Sequence, residues 1–196
     1  SALAGAFQSF DPATYGYHNL PAYLIIDSQY RARYPIASVM PSDPLPEWIM
    51  ESADLAGLAD AIGVDARQLE ATVSRFNAHA KNANDPDFGR GLSAYDRFYG
   101  DRSRNGAAAT LGKVEAGPFF AVRIDLGALG TNGGPRTNGI AQVLNVYGEA
   151  IPGFYGAGNV ISNPTGSVYA GAGGTLGPAL TFGYIAGQSV ACSEAH

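Results

Sequence analysis

Apolar positions along this chain change their spacing several times, and each change marks an element. Ala22-Tyr23-Leu24-Ile25-Ile26 is an unbroken apolar run closed by Asp27 and the polar pair Ser28-Gln29, which predicts a short buried strand. Pro35 disfavours helical backbone at Tyr34, and Pro41, Pro44 and Pro46 predict an irregular loop up to Trp48. The period then becomes helical. Leu55, Leu58, Ala59 and Ile62 follow i, i+3, i+4, i+7 spacing, and Gly63 supplies a left-handed stop. Asp65, with Gln68 three residues on, has the form of a capping box. It opens a second helix with Leu69, Val73, Phe76 and Ala80 as its buried stripe, so the two helices form a packed hairpin. His79 lies beside that stripe. With no metal-binding group at i±4 it reads as a surface or half-buried imidazole, and no metal site is expected.

Residues 84–117 read as loop, with Tyr95, Phe98 and Tyr99 as anchors. Pro118 to Ile124 is a strand by its aromatic and β-branched content. Gly127 to Pro135 is too glycine-rich for regular structure. Two more strands follow, Ala141 to Val146 and Ile151 to Gly156, around a turn at Tyr147-Gly148. Ala179 to Cys192 is a long helix, entered through Gly171-Ala172-Gly173-Gly174-Thr175-Leu176-Gly177-Pro178. Pro178 suits the first turn, where its missing N–H costs nothing. Gly177, Gly183 and Gly187 each cost about 1 kcal/mol of helix propensity relative to Ala. Gly183 and Gly187, four apart, make a smooth stripe that a sheet or ligand can approach closely.

Composition narrows the function classes. Charged residues make up 15% of the chain, below the usual quarter, so the surface is either uncharged or covered by more protein. With 12 basic against 17 acidic residues the net charge is −5, which disfavours nucleic acid as a partner. The single cysteine, Cys192, excludes an internal disulfide and fits a reducing cytoplasm. No apolar stretch approaches the roughly 18 residues of a membrane span. The start at Ser1 without Met suggests a chain trimmed or cut from something longer.

The glycine turn before the last helix is the candidate site. A helix N-terminus presents unpaired amides and the positive end of the helix dipole, which attract a phosphate or a developing anion. A dinucleotide fingerprint fails on spacing, because G-x-G-x-x-G counted from Gly171 needs glycine where Leu176 stands. There is no P-loop Lys-Ser/Thr pair either.

Three ordered blocks then resemble one family: Leu129 to Thr137, Ile151 to Asn159, and Tyr169 to Ala179. They resemble the C-terminal end of 3-ketosteroid Δ1-dehydrogenases and, more broadly, the fumarate reductase/succinate dehydrogenase flavoproteins. The resemblance extends less sharply through Asp85 to Ile124 and Leu20 to Pro35.

It implies an α+β fold with two parts. Residues 1–117 would form a substrate-domain portion with a helical hairpin and short strands, and 118–196 the closing sheet-and-helix part of a Rossmann-like FAD domain. It implies FAD as cofactor, with Gly158 and Asn159 at the ribityl chain. Gly174, Thr175, Leu176 and Gly177 would lie at the pyrimidine edge of the flavin, where reduction places negative charge. Tyr169 and Gly173 would hold the ketone oxygen of a steroid or similar cyclic ketone and stabilise the forming enolate.

The family's nucleotide fingerprint and base tyrosine have no counterpart here. The chain is therefore expected to act with an N-terminal FAD-binding half or partner subunit, and with an external electron acceptor. An ene-reductase, a non-steroid dehydrogenase of the same superfamily and a non-catalytic scaffold remain alternatives.

Overall fold

A computed structural model describes residues 2–127, 130–166 and 171–193. The chain divides into two compact units, Leu20–Asp125 and a second made of Ser1–Asn19 with Leu126–His196. The second unit opens with helix α1 (Ala2–Phe7) and the short strands β1 (Phe10–Asp11) and β2 (Gly16–Tyr17).

The Leu20–Asp125 unit begins with strand β3 (Ala22–Asp27), as its apolar run predicts. Asp27 caps helix α2 (Ser28–Arg33) by accepting from the Tyr30 amide, and Tyr34, the residue before Pro35, is extended. After the proline loop come strand β4 (Ile49–Ser52), helix α3 (Leu55–Ile62) and helix α4 (Ala66–Lys81). Asp54 caps α3 and Asp65 caps α4, while Gly63 stops α3 with φ 71°. Val73 is buried on α4, and Leu69, Phe76 and Ala80 are half-buried beside it. Residues 84–117 are less irregular than expected, holding helix α5 (Ala94–Tyr99) and a 3₁₀ turn at Gly106–Ala109. Strand β5 (Phe119–Ile124) completes the unit.

The sheet order is β3-β5-β4, all antiparallel. Because side chains alternate across a strand, the run Phe119-Phe120-Ala121-Val122 feeds two cores at once. Phe120 and Val122 pack with Ile26, Ile36, Val39 and Ile49 on one face. Phe119 and Ala121 pack with Leu58 and Ile62 on the other. The expected boundary at 117/118 falls just before this central strand. Residues 119–124 pair with β3 and β4, so the division falls after Asp125, and residues 1–19 group with the closing segment.

That closing segment holds strands β6 (Gln142–Leu144) and β7 (Ala150–Tyr155), an antiparallel hairpin, and helix α6 (Leu176–Ser193). Asn145 Oδ1 accepts from the amides of Tyr147 and Glu149, which fixes the predicted turn at Gly148.

Asp27 is the polar hub of the Leu20–Asp125 unit. Its side chain is almost wholly buried and accepts from the amides of Tyr30, Glu115 and Ala116 and from Gln29 Nε2. We expect Asp27→Ala to leave buried amides unpaired and to lower the unfolding free energy by about 3 kcal/mol in urea denaturation. A loss well under 1 kcal/mol would show that water replaces these bonds freely.

Candidate functional site

The site in the second unit is assembled by backbone. A 3₁₀ turn at Gly158–Val160 follows β7, and Gly158 adopts φ 75°. A Cβ placed there would lie 3.4 Å from the Cβ of Ala179, in the first turns of α6, so the turn and the helix entrance are in contact. On its other side the turn meets the loop before β6. The Gly133 amide donates to the Asn159 carbonyl at 3.1 Å and Ser162 to that of Pro135 at 2.9 Å. At Gly134 a Cβ would lie 1.8 Å from the Val160 carbonyl oxygen, a separation only glycine permits. Ile161 anchors the turn in the core, with Gly156 packed against it.

The entrance to α6 is a tight turn. Gly171 and Gly173 have φ 119° and 86°, where an L side chain is strained. The Gly174 amide donates to the Gly171 carbonyl, and Gly177 donates to Gly173. Gly177, expected as a ligand donor, thus closes the first helical bond. Among the described residues the amides of Gly173, Thr175 and Leu176 have no hydrogen-bond partner. They are the donors left at the positive end of an 18-residue helix. No acidic side chain occupies the first turn of α6.

The structure brings the Gly158–Val160 turn against Ala179 in the first turns of α6, and Gly173 to Gly177 form the entrance to that helix, with Asn159 half-buried and Thr175 to Gly177 exposed. Tyr169 lies outside the described residues. The close packing at Gly134 and Gly156 is not announced by the sequence. The glycines are visible in sequence, but nothing there says which backbone they must meet.

The Leu20–Asp125 unit carries a separate feature, an open cavity of about 1030 Å³ lined in part by Ile26, Tyr30, Arg33, Tyr95, Tyr99 and Lys113. On its wall the Tyr34 hydroxyl donates to Asp101, a pairing across 67 residues that no local pattern announces. Hydrogen bonds from Ser103 and then Tyr34 hold the Asp101 carboxyl down to about 2. The hydrogen bond to that carboxylate raises the Tyr34 hydroxyl above its usual value.

Residues 14–176 match the family described as FAD binding domain. The chain belongs to that family. This FAD-binding-domain chain is 44% identical over 189 residues to the 4-oxocyclohexanecarboxylate 2-dehydrogenase of Sinomonas cyclohexanicum, covering 96% of the chain and 33% of that protein. It is also 44% identical to the 3-oxosteroid 1-dehydrogenase of Mycolicibacterium smegmatis, covering 90% of the chain and 32% of the relative. A crystal structure of 3-ketosteroid delta1-dehydrogenase from Sterolibacterium denitrificans, in complex with 1,4-androstadiene-3,17-dione, superposes with a TM-score of 0.82 at 38% identity. It covers 88% of this chain and 32% of that one. The mixed helix-and-sheet architecture is thus that of a flavoprotein, and the chain spans about a third of the length of the relatives it matches. No helix among the described residues is long and apolar enough to cross a membrane.

Two outcomes follow from this geometry. Gly134→Ala forces the loop off the Gly158–Val160 turn; we expect a loss of about 3 kcal/mol in thermal denaturation and reduced FAD retention. Unchanged melting would show that the contact yields easily. The Tyr34–Asp101 pair makes a pH prediction. A depressed carboxylate stabilises the fold above its unfolded value near 3.8, and that contribution disappears as pH falls toward about 2. Tyr34→Phe should raise the Asp101 titration midpoint in carboxyl NMR, and its stability deficit should shrink between pH 4 and 2. An unmoved midpoint contradicts the pairing.

Proposed function

We propose that this chain is part of an FAD-dependent dehydrogenase that desaturates a carbon–carbon bond next to a ketone, with a 3-ketosteroid as substrate and Δ1-dehydrogenation as the reaction. The observation that carries the reading is the pair of open amides, Thr175 and Leu176, at the N-terminus of α6, beside the half-buried Gly158–Asn159 turn. These residues fit FAD. The amides and helix dipole favour an electron-rich ring edge, Asn159 offers a polar partner for the ribityl chain, and glycine at 173, 174 and 177 leaves room for a planar group.

FAD, when bound, supplies the acceptor for a hydride. The chain's own residues bind and polarise the substrate. The Tyr169 hydroxyl and Gly173 amide donate to the ketone oxygen; as the adjacent carbon loses its proton, negative charge grows on that oxygen and both bonds strengthen. The Gly173 amide is open in the structure, as this role requires. The nucleotide-binding half, the proton-accepting base and the external electron acceptor come from outside this chain, and the lone cysteine is consistent with a cytoplasmic setting.

The Sinomonas relative supports a second substrate reading. The substrate in that relative's name is a simple ring ketone, and the similarity extends over 96% of this chain. Both readings share the ketone contacts and differ in what fills the rest of the pocket.

Assembly of the chain with a dinucleotide-binding half should give yellow protein that desaturates a 3-ketosteroid with an artificial acceptor. Tyr169→Phe should keep FAD and lower kcat by about 100-fold, the scale of one lost oxyanion donor. Full activity in that variant would remove Tyr169 from the ketone site. Turnover of 4-oxocyclohexanecarboxylate with none of the steroid would select the second substrate.

A further inference from the structure

The last turn of α4 carries His79, and the chain folds back onto it immediately afterwards. The Asn84 amide donates to the His79 carbonyl at 3.2 Å, and the Gly89 amide to that of Asp85 at 2.8 Å. This return brings Asp85 and Asp87 beside the imidazole. His79, Asp85 and Asp87 each offer one ligand atom, all within 4.8 Å of one another, and His79 Nδ1 lies 3.9 Å from Asp87 Oδ2. Partners six and eight residues along are invisible to a search one helical turn away.

A second observation concerns Asp85 alone. Its side chain is 1% exposed. Oδ2 accepts from both the backbone amide and Nε of Arg90 and the Phe88 amide also stabilises the carboxylate, whereas the buried Oδ1 makes no hydrogen bond of good geometry. A buried carboxylate oxygen left bare is costly, and native structures satisfy such atoms with a donor, a water or a cation.

We propose that His79, Asp85 and Asp87 bind a divalent cation of the zinc class, with Oδ1 of Asp85 as the buried anchor. Imidazole together with carboxylates favours zinc over the oxygen-seeking calcium and magnesium. Zinc bonds of roughly 2.0–2.2 Å require the ligands to draw together. His79 and Asp87, with 23% and 33% exposed side chains, can move toward the fixed Asp85. Arg75 competes. Its 63% exposed guanidinium is 3.1 Å from Asp87 Oδ2 and must swing into solvent. With Arg90 still on Asp85, the two carboxylates then leave one net negative charge for the metal. The cation ties the end of α4 to the segment whose Arg90 reaches the cavity wall. This site belongs wholly to the Leu20–Asp125 unit and does not rest on the flavin reading.

The test uses the 196-residue chain, stripped with EDTA and titrated with zinc chloride in calorimetry, with parallel thermal melts. Expected are about one bound equivalent and a melting temperature that rises with zinc. His79→Ala and Asp87→Asn, both at partly exposed positions, should each weaken binding by about tenfold or more, the loss expected when a zinc site is disrupted. Arg75→Gln should tighten it, which loss of a purely structural ion pair would not do. Absence of saturable zinc binding, wild-type affinity in His79→Ala, or tighter calcium than zinc binding would each overturn the proposal.

Discussion

The candidate site depends on one steric constraint: backbone meets backbone where no side chain fits. Gly134 lies so close to the Val160 carbonyl that a methyl group would overlap it, while Gly156 makes room for the Ile161 side chain. These approaches hold the loop before β6 and the Gly158–Val160 turn together, and Gly158 in turn meets Ala179 of α6. The site's donors are main-chain amides whose positions follow from backbone packing. Such donors need no side-chain ordering when a ligand arrives, the kind of preorganisation that electrostatic stabilisation requires.

The Leu20–Asp125 unit is built on a different principle. Its centre is a strand buried on both faces, and a buried carboxylate, Asp27, joins β3, α2 and the 115–116 backbone. Asn77 adds a second clasp, its amide exchanging two hydrogen bonds with the Val114 backbone. Loops around such fixed points can carry a cavity without losing register.

Local chemistry explains which parts were legible in the sequence. The α3–α4 hairpin was readable because its signals are short-range: apolar spacing, Asp65 as a cap and Gly63 as a left-handed stop. Strand β3 and helix α6 were visible for similar reasons. Strand β4 and helices α2 and α5 were not, because they are short and held by tertiary contacts; α2, for one, is anchored by Asp27 to residues distant in sequence. Strand propensity at 118–124 says nothing about pairing, and β5 lies between β3 and β4. At the site, the glycine turn announced open amides; those of Gly174 and Gly177 are taken up within the turn, and those of Gly173, Thr175 and Leu176 stay open.

The Thr175 and Leu176 amides at the head of α6 are the groups proposed to receive the electron-rich edge of a flavin. A crystal structure of the assembled, FAD-loaded protein tests this most directly through the distance from the Thr175 and Leu176 nitrogens to the ring. Separations of about 2.7–3.2 Å to ring acceptor atoms are predicted. Amides that face solvent or bond only to protein, with the ring elsewhere, would contradict the account.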